Sequence, residues 1–324
     1  MSELWLWCAS HLIAAALGTW LLRGYALRRR LLDQPGERRS HAVATPRGGG
    51  MAIVAAVLAG CGAACALWPA ARPIVIWFAA GLVLVAGVGW WDDHRPLSAR
   101  LRLLIHMAAS ASLGLLIARY SGNAWDGVLG ALASVVLINV WNFMDGINGL
   151  AASQAALAAL AFAAAVPAPW SWAGLAVAAS CLGFLPFNFP RARIFLGDGG
   201  SGALGYILAA LLALGVVEGQ AGWWIGWLPL SAFLVDAGFT LLSRMLARQR
   251  WWEPHAQHVY QRLARRFANH VPVTAAYFAF SLAALSLYVV LRHDPLWLQW
   301  LAALSWGLAA TAIWHLLRNG LRDY

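Results

Sequence analysis

The sequence predicts an all-α polytopic membrane protein with about 11 transmembrane helices. Its N-terminus is expected outside, its C-terminus in the cytoplasm and its active site on the cytoplasmic face. Three observations predict this. Apolar residues make up 61% of the 324 residues and charged residues only 11%, about half the share of an average soluble domain. The mean hydropathy is +0.65, and at ~20 residues per span the apolar content fills ten or eleven spans. All 23 basic residues are Arg, set in short clusters between apolar runs. That is the distribution of loops retained in the cytoplasm, so no nucleic-acid polymer is expected as a partner.

In chain order the apolar runs predict spans over 4–22, 51–67, 73–90, 101–118, 128–140, 149–165, 173–187, 202–217, 223–241, 273–291 and 297–317. The first run has Glu3 ahead of it and an Arg cluster behind it. It therefore reads as a retained span with its N-terminus outside, not as a cleaved leader. Alternation from there puts 20 of the 23 Arg residues in cytoplasmic segments and leaves Arg72, Arg119 and Arg292 outside. Trp68, Trp90, Trp91, Trp125, Trp170, Trp251 and Trp252 lie near span ends, as an interfacial belt requires. Spaced small residues such as Gly81 and Gly89 read as close helix packing. The four cysteines, Cys8, Cys61, Cys65 and Cys181, sit inside apolar runs and read as packing residues. No repeat or soluble module interrupts the chain, which reads as one integral membrane domain over 1–324.

The polar motifs fall on one face of this topology. The first cytoplasmic segment carries Asp33 through His41 and Thr45-Pro-Arg47-Gly-Gly-Gly50. The second carries Asp92-Asp93, Ser98, Arg100 and Arg102. The third carries Asn139, Asn142, Asp145-Gly-Ile-Asn148-Gly; the fourth carries Asn188, Arg191, Arg193 and Phe195-Leu-Gly-Asp198-Gly-Gly-Ser201; and the fifth carries His255 and His258. The carboxylates Asp92, Asp93, Asp145 and Asp198 have no Lys beside them, and hard oxygen ligands suit Mg²⁺, with Mn²⁺ as the alternative. Glycine-rich turns opening apolar helices after Asp145 and Asp198 let backbone N–H groups approach a phosphate. Arg100, Arg102, Arg191, Arg193 and the His255/His258 loop surround that site with positive charge. Together these groups suggest phosphoryl transfer at a membrane surface.

These residues resemble the motifs of the polyprenyl-phosphate N-acetylhexosamine-1-phosphate transferases, the bacterial membrane glycosyltransferase 4 family. The resemblance runs from about Asp33 to Arg266 in motif order. It implies transfer of a sugar-1-phosphate from a UDP-sugar to undecaprenyl or another polyprenyl phosphate, with release of UMP, in the bacterial inner membrane. It implies that Asp198 is the principal Mg²⁺ ligand, with Asp92 also near the metal. Asp92 or Asp93 would act as base or orienting group for the lipid phosphate. Asn142, Asp145 and Phe195 would help to hold the nucleotide and its diphosphate. His255 and His258 would stand for the family's histidine motif. Membership of the same motifs makes His41, Arg47, Asn139, Asn148 and Ser201 candidate substrate-binding residues. Asn148 replaces a frequent Asp, and the multi-histidine run of the peptidoglycan member is absent. The Pro-His-x-x-His-x-Tyr-Gln-Arg form looks more like members that prime O-antigen or similar surface glycans.

Two other classes compete. A transporter would use an intramembrane acid, and Asp236 is the one acid inside a predicted span. A non-catalytic component of a glycan assembly complex would have no need of the Asp clusters. An oligomer is compatible with every reading.

Overall fold

A computed structural model describes residues 2–34, 36, 43–219, 222–250 and 255–321. Among these residues the chain forms α1 (Ser2–Arg29), α2 (Met51–Leu67), α3 (Arg72–His94), α4 (Ala99–Ser121), α5 (Ala124–Met144), α6 (Leu150–Ala163) and α7 (Trp170–Asn188). It continues as α8 (Asp198–Val217), α9 (Trp223–Gly226), α10 (Ser231–Leu246), α11 (Val259–Phe267), α12 (His270–Leu291) and α13 (Leu296–Gly320). Nine of the described helical stretches are long and apolar enough to cross a membrane, and α2 and α6 are shorter apolar helices. Ten of the eleven predicted spans are thus single helices and the ninth is broken; in lipid a helix satisfies its own backbone polar groups.

The bundle is built around two helices that meet protein on all sides. Every residue of α8 from Gly199 to Gly215 is buried. In α6 only Leu160 escapes burial. With 14 residues α6 is about 21 Å long, short of the ~30 Å hydrocarbon core. Since protein rather than lipid surrounds it, its ends need not reach the interfaces. The outer helices α1 and α13 instead expose Trp5, Leu17, Trp20, Trp297, Leu304 and Leu308, a surface that suits lipid. The aromatic belt is visible at one end, where Trp7, Trp68 and Trp172 pack with ring centroids 5.2 to 6.4 Å apart.

Local sequence sets the helix ends. Ser98, Asn123 and Asn269 accept hydrogen bonds from Leu101 N, Trp125 N and Val271 N at the starts of α4, α5 and α12, relieving orphan donors. Three features go beyond the predicted elements. The ninth span is broken into α9, a tight turn over Leu228–Leu230 and α10; Pro229 lies in the break and has no N–H to continue a ladder. The first loop contains a short antiparallel pair, Leu32 with Pro46 and Asp33 with Thr45. The fifth segment, read from sequence as a loop, contains the amphipathic helix α11.

Candidate active site

Asp92 and Asp93 end α3, and consecutive helical residues point about 100° apart. Asp93 turns inward and is 2% exposed. Its Oδ1 accepts from Asp198 N at 3.2 Å and its Oδ2 from Gly199 N at 3.4 Å, the first two N–H groups of α8, which have no partner inside that helix. Arg47 lies 3.8 Å from Asp93 Oδ1 through Nε and donates through Nη2 to the Asp93 carbonyl. Asp92 turns outward. Its Oδ1 accepts from Leu97 N at 2.6 Å, and its Oδ2 is 2.6 Å from Arg102 Nη1. The same nitrogen is 2.9 Å from Asp198 Oδ2, whose side chain is 36% exposed against 12% for Asp92. Arg102 therefore joins two carboxylates from two loops, and Asp198 is the more open of the pair.

Glycines let the backbones that carry these groups meet. Gly49 N and Gly50 N donate to the carbonyls of Phe195 and Leu196 at 2.9 and 2.8 Å, while Phe195 N donates to Pro46 O at 2.8 Å. The first loop is thereby laced to the segment before Asp198. A Cβ on Gly200 would stand 2.6 Å from Gly50 Cα, and one on Gly197, whose φ is +79°, 2.6 Å from Asp93 Oδ2. Contacts this close to backbone exclude any larger residue without a shift of α2 or α8.

The turn after α5 supplies Asp145. It is half-buried, and among the described residues nothing donates to its carboxylate or pairs with it. Burial and the neighbouring charges of Asp198 and Asp93 push its carboxyl well above the ordinary carboxylate range. Asn142 donates through Nδ2 to Ser201 Oγ at 3.2 Å, with Ser201 1% exposed; the bond ties α5 to α8. Asn139 Nδ2 donates to Val135 O in its own helix at 2.8 Å. Asn148 is knitted into the scaffold: Nδ2 to Pro190 O at 3.0 Å, N to His270 Nδ1 at 3.3 Å, and its carbonyl accepting from Thr274 Oγ1 at 2.8 Å. Asn188, which was not singled out as a site residue, accepts from Gly149 N at 2.7 Å and donates to Ile194 O at 2.9 Å. An Asn at the end of an apolar helix was the available signal.

The other predicted groups separate into open and engaged ones. Arg100 and Arg191 are exposed and pair with nothing among the described residues. Arg193 stacks over the Phe187 ring at 5.1 Å and donates to the Pro186 carbonyl, so it closes the end of α7. Phe195 is half-buried and held through its backbone. His41 lies outside the described residues.

The histidine pair sits on a different carboxylate. His258 Nδ1 is 3.9 Å from Asp236 Oδ1 and its residue is 3% exposed. His255 packs beside it with ring centroids 4.9 Å apart. Burial lowers both below the ordinary imidazole value, His255 to about 4 with the help of His258 and Arg244. Burial thus favours the neutral form of both rings, against the positive charge expected of them. They offer hydrogen-bonding and packing instead. Asp236, the acid on which a transporter reading rests, is sealed at 2% exposure by donors from several helices.

The comparisons with known proteins bear on this site directly. Residues 75–216, from α3 to the end of α8, match Glycosyl transferase family 4. The chain is 31% identical over 314 residues to the Bacillus subtilis (strain 168) protein named "Probable undecaprenyl-phosphate N-acetylglucosaminyl 1-phosphate transferase", covering 89% of this chain and 85% of that one. The chain belongs to glycosyl transferase family 4. It is also 30% identical over 311 residues to the "Decaprenyl-phosphate N-acetylglucosaminephosphotransferase" of Mycobacterium leprae (strain TN), covering 80% of this chain and 77% of the relative. A "Phospho-N-acetylmuramoyl-pentapeptide-transferase" of Synechococcus sp. (strain JA-3-3Ab) matches at 34% over 201 residues, 52% of this chain and 55% of that one.

The family-4 segment contains all four carboxylates of the cluster, while Arg47 and the His255/His258 pair lie outside it. The donor set is of the hard-oxygen kind that suits a divalent cation: Asp198 is partly open, Asp92 is beside it across Arg102, and Asp145 has no partner among the described residues. Among the described residues no three His, Cys, Asp or Glu side chains are close enough to enclose an ion by themselves.

Proposed function

We propose that this family-4 protein transfers an N-acetylhexosamine-1-phosphate, or a deoxy relative, from a UDP-sugar to undecaprenyl or another polyprenyl phosphate. UMP is released, and the product primes O-antigen or another surface glycan at the cytoplasmic face of the bacterial inner membrane. The observation that carries the reading is the meeting of Asp92 and Asp198 on Arg102, with Asp145 near enough to feel the charges of Asp198 and Asp93, at one end of an apolar bundle. A phosphate oxygen of the lipid forms a bond to the phosphorus that bears the sugar, and the bond from that phosphorus to UMP breaks. Such a step is governed by alignment and by screening of the phosphate charge.

Each side chain has a part that its setting supports. Asp198 and Asp92 would hold Mg²⁺, which when bound screens the diphosphate. Arg102 lies between those carboxylates and is the nearest cation to any phosphate that joins them. Arg100 and Arg191, exposed and without a partner among the described residues, suit the incoming anions. Asp93 is committed to α8 and Arg47, so Asp92 is the member of the pair that faces the lipid phosphate. Family relatives named for N-acetylglucosamine transfer support an N-acetylhexosamine donor.

The test is UMP release by the purified protein given polyprenyl phosphate, Mg²⁺ and a panel of UDP-sugars. Release that needs both the lipid and one UDP-N-acetylhexosamine is the expected result. No release with any donor, from protein that remains folded, would overturn the reaction.

A further inference from the structure

Five donors converge on Asp236 in α10. Its Oδ1 accepts from Val259 N at 2.9 Å, Thr240 Oγ1 at 3.3 Å and Trp314 Nε1 at 3.4 Å; its Oδ2 accepts from Tyr260 N at 3.1 Å and the Tyr277 hydroxyl at 2.7 Å. A carboxylate offers about four lone-pair sites, so this one is saturated and has nothing left for a ligand. Val259 and Tyr260 open α11, and their N–H groups have no partner inside that helix. A helix of nine residues does not hold itself together in water. Its order comes from this anchor and from the burial of Val259, Tyr260, Gln261 and Ala264.

Tyr260 carries the anchor onward. Its hydroxyl donates to the Phe143 carbonyl at 2.9 Å. Gly146 stands so near the same hydroxyl that any Cβ there would overlap it. The His258 ring lies over the Phe143 ring at 6.4 Å. Phe143 and Gly146 bracket Asp145, so the start of α11 is the floor on which the Asp145 turn rests.

We propose that Asp236 is a positioning residue of the active site: by fixing the first turn of α11 it sets Tyr260 against Phe143 and Gly146 and thereby holds the turn that carries Asp145. The kinetic part rests on the proposed reaction, in which that turn holds the nucleotide-sugar. The linkage itself is a property of the chain without substrate.

The experiment is amide hydrogen exchange on the full-length protein in lipid nanodiscs without substrate, together with KM and kcat for both substrates. Tyr260→Phe keeps the buried ring and removes only the hydroxyl. It should speed exchange over 143–149 roughly tenfold, the loss of one buried hydrogen bond, and leave 259–267 at the wild-type rate. It should also raise KM for the UDP-sugar severalfold without changing KM for the polyprenyl phosphate. Asp236→Asn, with one acceptor oxygen fewer, should speed exchange over both segments. Faster exchange over 259–267 with 143–149 unchanged in Asp236→Asn, or wild-type exchange over 143–149 in Tyr260→Phe, would overturn the proposal. Should Asp236→Asn fail to fold, Tyr260→Phe alone decides. A wild-type protein inactive with every donor would overturn the reaction and leave the exchange result to judge the linkage.

Discussion

Asp93 caps the helix that Asp198 begins: the buried carboxylate at the end of α3 accepts the first two N–H groups of α8 at 3.2 and 3.4 Å. The orphan donors and the positive end of the helix dipole are satisfied from a neighbouring helix. Asp236 repeats the device on α11, accepting Val259 N and Tyr260 N. Two acids that a sequence presents as candidates for chemistry are thus committed to architecture. Asp92 and Asp198 meet instead on Arg102, and among the described residues nothing donates to Asp145.

The two members of the Asp pair should therefore fail differently. Asp93→Asn keeps one good acceptor where two are needed and leaves a buried N–H of α8 without a partner, a cost of about 1–3 kcal/mol. Asp92→Asn loosens a partly exposed contact to Arg102, worth about 1 kcal/mol or less. Thermal unfolding in detergent should show the larger drop for Asp93→Asn, while UMP release should fall in both. Equal unfolding temperatures for the two variants would refute the assignment of Asp93 as the cap.

Asp198→Asn should abolish UMP release and leave the fold intact. The side chain is 36% exposed and among the described residues it pairs with Arg102 alone, so little stability depends on it. Replacing a carboxylate by an amide weakens a hard-cation site and should cost several kcal/mol of transition-state stabilisation. A folded variant with wild-type turnover at low Mg²⁺ would remove Asp198 from the metal site.

The helical scaffold was legible because burial in lipid rewards long apolar runs such as those of α3 and α8. The site was legible as a set of residues but not as a set of partners. Adjacent Asp92 and Asp93 look alike in sequence, and only the packing of α3 against α8 turns one inward. Asn148 has the residue type of a ligand group, yet its Nδ2 is bound to Pro190 O and its backbone to His270 and Thr274. The helix α11 was hidden because Arg262, Arg265 and Arg266 break any apolar run in its nine residues; its order depends on Asp236, 23 positions away from Val259. The neutral state of His255 follows from burial that no motif encodes.

The 20-to-3 division of Arg predicts the membrane sidedness. In a version free of the four cysteines, Asn123→Cys on the loop between α4 and α5 should react with an impermeant thiol reagent added to intact cells. Arg95→Cys on the loop between α3 and α4 should react only after the membrane is opened; both positions are exposed. Labelling of position 95 from outside would invert the topology.

Asp145 should trade stability for activity, and the sign can be worked out. Burial and the charges of Asp198 and Asp93 raise its folded pKa well above the ordinary carboxylate value. Between about pH 4, where a carboxyl of the unfolded chain titrates, and that raised value, the native state holds a proton that the unfolded chain has lost. Stability then falls as pH rises through this window, because the native state binds more protons. The contribution is complete in acid and lost once the native carboxyl ionises. Asp145→Asn removes the titration and relieves the repulsion on Asp93 and Asp198. The variant should match the wild type in unfolding temperature near pH 4, exceed it at pH 7 and above, and release UMP far more slowly throughout. An Asp145→Asn protein less stable than the wild type at pH 8, or as active, would show that the side chain is a structural part of the turn.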